Sequence, residues 1–363
     1  MINSFQNKHA LLVGNGINQL DPTQSISWSG LLNDIKGRFN INVDIDNEFK
    51  PFPIGFEEMR HLKKGGSNIE EKLRGLKTTI REIIDTQLEG KDGYNDYHRK
   101  ICNLNYNDIL TTNYDYALEM SIADDFKLNK SKKYAQNKLE RKFSLKRYYG
   151  NFNNNVSNIW HIHGELESSR NISNNSIQYK EESIMIGYEH YSEYLGLIQE
   201  NINGKKGKRI ADNQSIISRI KNNTIGTFWT DTFFTHHIDI IGLGLDFSEN
   251  HLWWILNRRA MLMGNNSKHN STDDGVKIDN KINYYYPDLP DSYTINIKES
   301  EALKKLLQKM NMTKRTKAIA DVLKSFKVNP IPLKCNSYIE FYMQFITMKK
   351  RELSIIEEGY SIY

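Results

Sequence analysis

Asn113 stands in the stretch TTNYD, residues 111–115, with two threonines before it and Asp115 two residues on. A side-chain amide carries two donors and one acceptor, a combination that can orient a sugar hydroxyl or a water molecule. Capping a helix needs only one such group, yet here Thr111, Thr112, Asn113 and Asp115 stand together. Further along, WHIHGE holds His161 and His163. An imidazole with an ordinary pKa near 6.5 accepts a proton at neutral pH. Residues i and i+2 of a strand share a face. The two rings are therefore candidate metal ligands, a base with its neighbour, or ordinary sheet histidines. The Cys, His and Asp companions of a structural zinc site are not apparent. Gly164, directly after His163, leaves room beside that ring.

Two glycine stretches could approach a phosphate. GNGIN supplies Gly14, Asn15, Gly16, Ile17 and Asn18, and IIGLGLDFSENHLWW supplies Gly242, Leu243, Gly244 and Asp246. Glycine permits positive φ and close backbone approach, and a following helix offers free N–H groups to an anion. The third glycine of the dinucleotide fingerprint is missing, so close helix–strand packing explains these glycines equally well.

These groups need a frame, and the hydrophobic pattern predicts one. HALLVG (9–14), NDILTT (107–112), SNIWHIHG (157–164) and HIDIIGLGL (237–245) read as strands, the last as a continuous apolar run buried on both faces. KINYYYP, YTINI (293–297) and VNPIPLKC read as further strands. Helical spacing covers 27–39, 69–103, 116–123, 188–201 and 248–262, with further helices from Glu299 and over 337–353. Residues 168–184 and 201–214 read as irregular, and KFSLKRYY with SNIWHIHG as a hairpin. Strands alternating with helices predict an α/β fold, a Rossmann-like, mostly parallel sheet with helices on both faces. One domain over 1–363 is expected, with a helical insertion at about 56–104 and a basic insertion at about 124–150. All four polar clusters then fall at the carboxyl ends of strands, where such sheets bind ligands.

Bulk properties narrow the class. Two cysteines exclude a disulfide framework or a four-thiolate zinc site and suit a reducing compartment. Neither a signal-peptide pattern nor a long apolar span is present in the sequence, so a cytoplasmic location is expected, with no membrane partner. The net charge of +5 is unevenly spread. Lys127, Lys130, Lys132, Lys133, Lys138, Arg141, Lys142, Lys146 and Arg147 face only Glu140 between residues 127 and 147, so the rest of the chain is net acidic. Tyr134, Phe143, Tyr148 and Tyr149 are interleaved with these cations, a pattern compatible with single-stranded nucleic acid, an acidic partner or plain solvated surface.

GNGIN, TTNYD, WHIHGE and IIGLGLDFSENHLWW occur in the order and approximate spacing of the SIR2-like domain, and the resemblance covers about residues 8–350. The chain is more similar to the SIR2-like NAD+-hydrolysing effectors of bacterial antiphage defence than to sirtuin deacylases. The resemblance implies a NAD-binding domain that cleaves NAD+ to nicotinamide and ADP-ribose. Asn113 and His163 match the catalytic pair. Asp115 matches the aspartate closing the motif, and Gly14, Asn15 and Gly16 match the phosphate loop. Ile17 and Thr112 are counted with the cofactor-binding residues, as are Gly242, Leu243, Gly244 and Asp246 beside the adenosine ribose. Sirtuins carry a four-cysteine zinc module that this chain lacks, so no metal is expected and a peptide-binding cleft is in doubt. Deacylation, ADP-ribosyl transfer and a nucleic-acid-binding role in a defence complex stay as alternatives. Such effectors also imply a homo-oligomer and a separate regulatory or sensor protein.

Overall fold

The computed structural model describes residues 8–21, 26–45, 50–88, 93–126, 134, 145–152, 158–166, 184–205, 214–264, 276–289 and 314–360, with side chains up to 353 in the last stretch. The sheet has seven strands: β1 (His9–Val13), β2 (Asp108–Thr111), β3 (Tyr149–Gly150), β4 (Asn158–His161), β5 (His237–Ile241), β6 (Ile282–Asp288) and β7 (Asn329–Lys334). Their order across the sheet is β3-β4-β2-β1-β5-β6-β7. Every pairing is parallel except β3 with β4, the short hairpin. This is the expected α/β, Rossmann-like architecture.

The described helices are α1 (Trp28–Phe39), α2 (Phe52–Leu62), α3 (Ile69–Leu88), α4 (Asp96–Cys102), α5 (Ala117–Ile122), α6 (Tyr188–Asn203), α7 (Ile216–Lys221), α8 (Thr232–Thr235), α9 (Asn250–Gly264), α10 (314–325) and α11 (Tyr338–Tyr360). None of them is long and apolar enough to cross a membrane. Successive strand residues point to opposite faces, and the core divides accordingly. Leu11, Val13, Ile109, Ile159 and Ile241 pack with Leu31, Phe56, Leu76, Ile101 and Phe345. Ala10, Leu12, Leu110, Trp160 and Ile240 pack with Tyr194, Ile255 and Leu323 on the other side. Apolar runs without polar alternation are what a sheet covered on both faces requires.

The register matters most for function. Val13 pairs with Thr111 on one side and Ile241 on the other, and Thr111 pairs with His161. The four central strands therefore end level, and the glycine, Thr-Asn and histidine stretches leave one edge of the sheet side by side.

The long helical pattern at 69–103 breaks into α3 and α4. Gly93 adopts φ +74, and Asn95 forms a capping box with His98: the Asn95 side chain accepts from the Tyr97 and His98 amides, while the His98 ring accepts from the Asn95 amide. Apolar spacing continues across the break, and the cap ends it. The expected strand at 293–297, the start of the helix at Glu299 and residues 168–183 and 206–213 lie outside the described residues.

Candidate active site

A cleft opens at the carboxyl ends of β1 and β2. Its lining includes Asn15 and Asn18 after β1, Asn113 and Asp115 after β2, Trp28 and Leu31 of α1, and Ile84, Tyr94, Asn95 and His98 of the helical segment. One polar chain runs along it. Asn18 Nδ2 donates to Asn15 Oδ1 at 2.9 Å and to Asp115 Oδ2 at 2.8 Å. Asn18 Oδ1 meets His98 Nε2 at 2.8 Å. Since His98 Nδ1 accepts from the Asn95 amide, Nε2 must carry the proton. Burial lowers the His98 pKa to about 4, outweighing the nearby Asp115 carboxylate, so the ring is a fixed neutral donor at neutral pH. Asn113 presents a different case. Its Oδ1 is buried and has no hydrogen-bond partner among the described residues, an arrangement that native structures rarely leave unexplained.

The backbone that carries Asn113 is held from behind. Its N–H donates to Thr111 Oγ1 at 3.1 Å, and its carbonyl meets His161 Nδ1 at 2.8 Å. His161 Nε2 lies 2.7 Å from Glu119 Oε1 in a fully buried pair. Burial opposes charge on the ring, but Glu119 outweighs it and raises the His161 pKa to about 9, so both ring nitrogens donate at neutral pH. Linkage sets the sign of the consequence. The contribution of His161⁺ to stability is complete below its unfolded pKa near 6.5 and is lost as pH rises through about 9. Across that window the wild type should lose up to about 1.4 kcal/mol of stability per pH unit relative to His161→Gln. Urea unfolding of both proteins from about pH 6 to about pH 10 reads the difference, and parallel profiles would contradict the charged ring.

His163 does not share that environment. β4 ends at His161, and the turn closed by Gly164 at φ +78 carries His163 away. The two histidines therefore do not present one face, because the strand geometry that would align them has already stopped. His163 Nε2 lies 2.9 Å from His251 Nε2 and 3.2 Å from Glu249 Oε2, with Tyr191 packed edge-on against its ring. It stands outside the lining of the cleft.

The glycine stretches meet each other at the switch point, where the chain runs from β1 to β2 on one side and β5 lies on the other. Gly14 N donates to Ile241 O at 3.0 Å and Gly16 N to Gly242 O at 2.8 Å. A Cβ on Gly14 would come within 2.6 Å of Gly242 O, so this crossing admits only glycine. Gly244 has open space around its Cα. Leu243 offers its carbonyl to the Tyr284 hydroxyl at 3.0 Å. Asp246 accepts from the Ser248 amide at 2.8 Å and pairs with Arg315. Ile17 is fully buried in the core and Thr112 nearly so. The structure thus brings Asn15, Asn113 and Asp115 into one cleft, sets the glycines against one another beside it, and places His163 in a separate cluster.

Sequence reasoning left Asn18, His98, Glu249 and His251 out of the site. Asn18 sits within the GNGIN stretch, and its spacing was the available signal. His98 shows itself only through the fold. Of the nine cations at 127–147, Lys146 and Arg147 are described. Lys146 Nζ lies 5.1 Å from the centre of the Phe228 ring. Arg147, its side chain 14% exposed, pairs with the buried Glu165 at 2.5 Å, behind Tyr116 and His161. Arg147 is accordingly held in a largely shielded ion pair rather than on solvated surface. Lys127 to Lys142 lie outside the described residues, apart from Tyr134, which stacks on Phe152.

A parallel sheet whose central strands deliver an amide, carboxylate and glycine loops to one edge defines a Rossmann-like architecture, with these groups where such sheets place their ligand sites. Residues 107–274 match the model of the SIR2-like domain family, a stretch running from the start of β2 past α9. It contains Asn113, Asp115, His163, Gly242 and His251 but not the first glycine loop. No curated protein matches the chain.

Proposed function

We propose that the chain is a NAD+ glycohydrolase, a single NAD-binding domain acting through the cleft at Asn113. The observation that carries this reading is the buried Oδ1 of Asn113, without a partner among the described residues, in a cleft where Asn15, Asn18, Asp115 and His98 are already joined by hydrogen bonds or direct polar contacts. In the reaction the bond between the ribose anomeric carbon and the nicotinamide nitrogen breaks. Nicotinamide leaves as a neutral ring, so no general acid is needed. Water forms the new carbon–oxygen bond and gives up a proton. Asn113 orients that water and the ribose hydroxyls, and His163 accepts the proton. The role of His163 rests on the resemblance, since its ring stands outside the lining of the cleft that holds Asn113. None of these steps calls for a metal.

Isotope-labelled NAD+ tests the reading. Nicotinamide and ADP-ribose should appear in equal amounts without an acylated peptide. Release that strictly requires an acyl-lysine peptide would make the chain a deacylase, and label transferred to protein would make it an ADP-ribosyltransferase. The antiphage role, depletion of cellular NAD+ during infection, rests on the resemblance. It predicts a fall in NAD+ in infected cells carrying the chain and none in cells carrying Asn113→Ala.

A further inference from the structure

His163, Glu249 and His251 come from two distant stretches, the turn after β4 and the start of α9. His163 Nε2 and His251 Nε2 are 2.9 Å apart, Glu249 Oε2 is 3.2 Å from the first and 3.8 Å from the second. Those separations average about 3.3 Å, the ligand-to-ligand distance that tetrahedral coordination at about 2.0–2.1 Å demands. Glu249 Oε2 is buried and has no hydrogen-bond partner among the described residues, despite lying beside two imidazoles. A single N–H between the rings satisfies at most one nitrogen pair and leaves that oxygen orphaned, whereas a cation among the three engages both Nε2 atoms and the oxygen. Tyr191 stacks on the His251 ring at 5.3 Å and fixes its direction.

We propose that these three side chains form a binding site for a zinc-class divalent ion, a two-histidine, one-carboxylate set with a fourth position open. Both histidines are buried, while Glu249 is 17% exposed and gives the ion its way in. The Nδ1 atoms of His163 and His251 have no hydrogen-bond partner among the described residues. Outer-shell partners raise metal affinity by about 10–100-fold. A site without them loads and unloads, as suits a regulatory ion rather than a structural one. When filled, it draws electron density from the His163 ring through Nε2, and so masks the base. The binding argument stands on geometry alone, and only the masking rests on the proposed NAD+ chemistry.

Cobalt(II) titrated into the full-length, metal-stripped protein should give the intense visible bands of tetrahedral coordination at one equivalent, and zinc should displace them. Glu249→Gln, which keeps its size at a partly exposed position, should weaken cobalt and zinc binding at least about tenfold. His251→Ala should do so more severely. Since His251 is wholly buried, circular dichroism must show that variant folded, and Glu249→Gln decides the matter if it is not. Octahedral spectra, absence of binding or affinities unchanged in Glu249→Gln would overturn the site. Nicotinamide release by the wild type should fall with the same midpoint as the cobalt band. Turnover indifferent to a filled site would overturn the masking of His163 and leave the metal site standing.

Discussion

Asn113→Ala should lower nicotinamide release from NAD+ by about a hundred- to a thousandfold, about 3–4 kcal/mol of lost transition-state stabilisation. It should leave the fold nearly untouched. The backbone of Asn113 is held by Thr111 Oγ1 and His161 Nδ1, neither of which depends on the Asn113 side chain. The Oδ1 that the substitution deletes has no protein partner, so its loss orphans nothing among the described residues. Most of the effect should fall on kcat, because orienting water matters more as charge develops on the ribose than in the ground state. A variant that turns over like the wild type would remove Asn113 from the chemistry. One that loses activity and melts early would show that the amide is structural. His163→Ala should produce a loss of similar size. Its ring packs against His251 and Tyr191, so that variant needs the melting control more.

Much of this arrangement was legible in the residues. HALLV and HIDII read as buried parallel strands because they lack polar alternation. A parallel sheet then puts every strand's polar successor on the same edge. Asn113, Asp115 and the Asn15 loop were found that way. Their neighbours were not, because periodicity reports which face a residue takes and not where a turn sends it. His98 belongs to a capping box inside what reads as one long helix. Glu249 and His251 read as ordinary residues at a helix start, and nothing local reveals that β4 lies opposite α9. The expected alignment of His161 with His163 failed because β4 ends at His161, before the second ring. Arg147 sits in a run of cations and reads as surface, yet the buried Glu165, from the stretch after β4, draws it mostly out of solvent.

Gly242→Ala should destabilise the protein by about 2–5 kcal/mol, and the larger part of that should depend on a residue from the far end of the chain. Gly242 has φ +65, where an L side chain costs about 1–2 kcal/mol. Its added Cβ would also lie 2.1 Å from the Tyr342 hydroxyl of α11, an overlap that adds about 1–3 kcal/mol unless the ring moves. A Cβ on Gly16 would come within 3.1 Å of the same hydroxyl, so Tyr342 stands over both glycine loops at once. That hydroxyl is buried and has no hydrogen-bond partner among the described residues. Removing it in Tyr342→Phe should therefore stabilise the protein by about 1 kcal/mol. In that background the next ring atom is 3.3 Å from the new Cβ, so Gly242→Ala should cost only its backbone strain. Urea unfolding of the two single variants and the double variant should give a coupling of about 1–3 kcal/mol. Additive variants would mean that Tyr342 swings aside freely. If the hydroxyl is kept because it serves the cofactor phosphates at the glycine crossing, Tyr342→Phe will gain stability and lose NAD+ affinity together. A gain in stability with unchanged affinity would leave the hydroxyl as a packing defect.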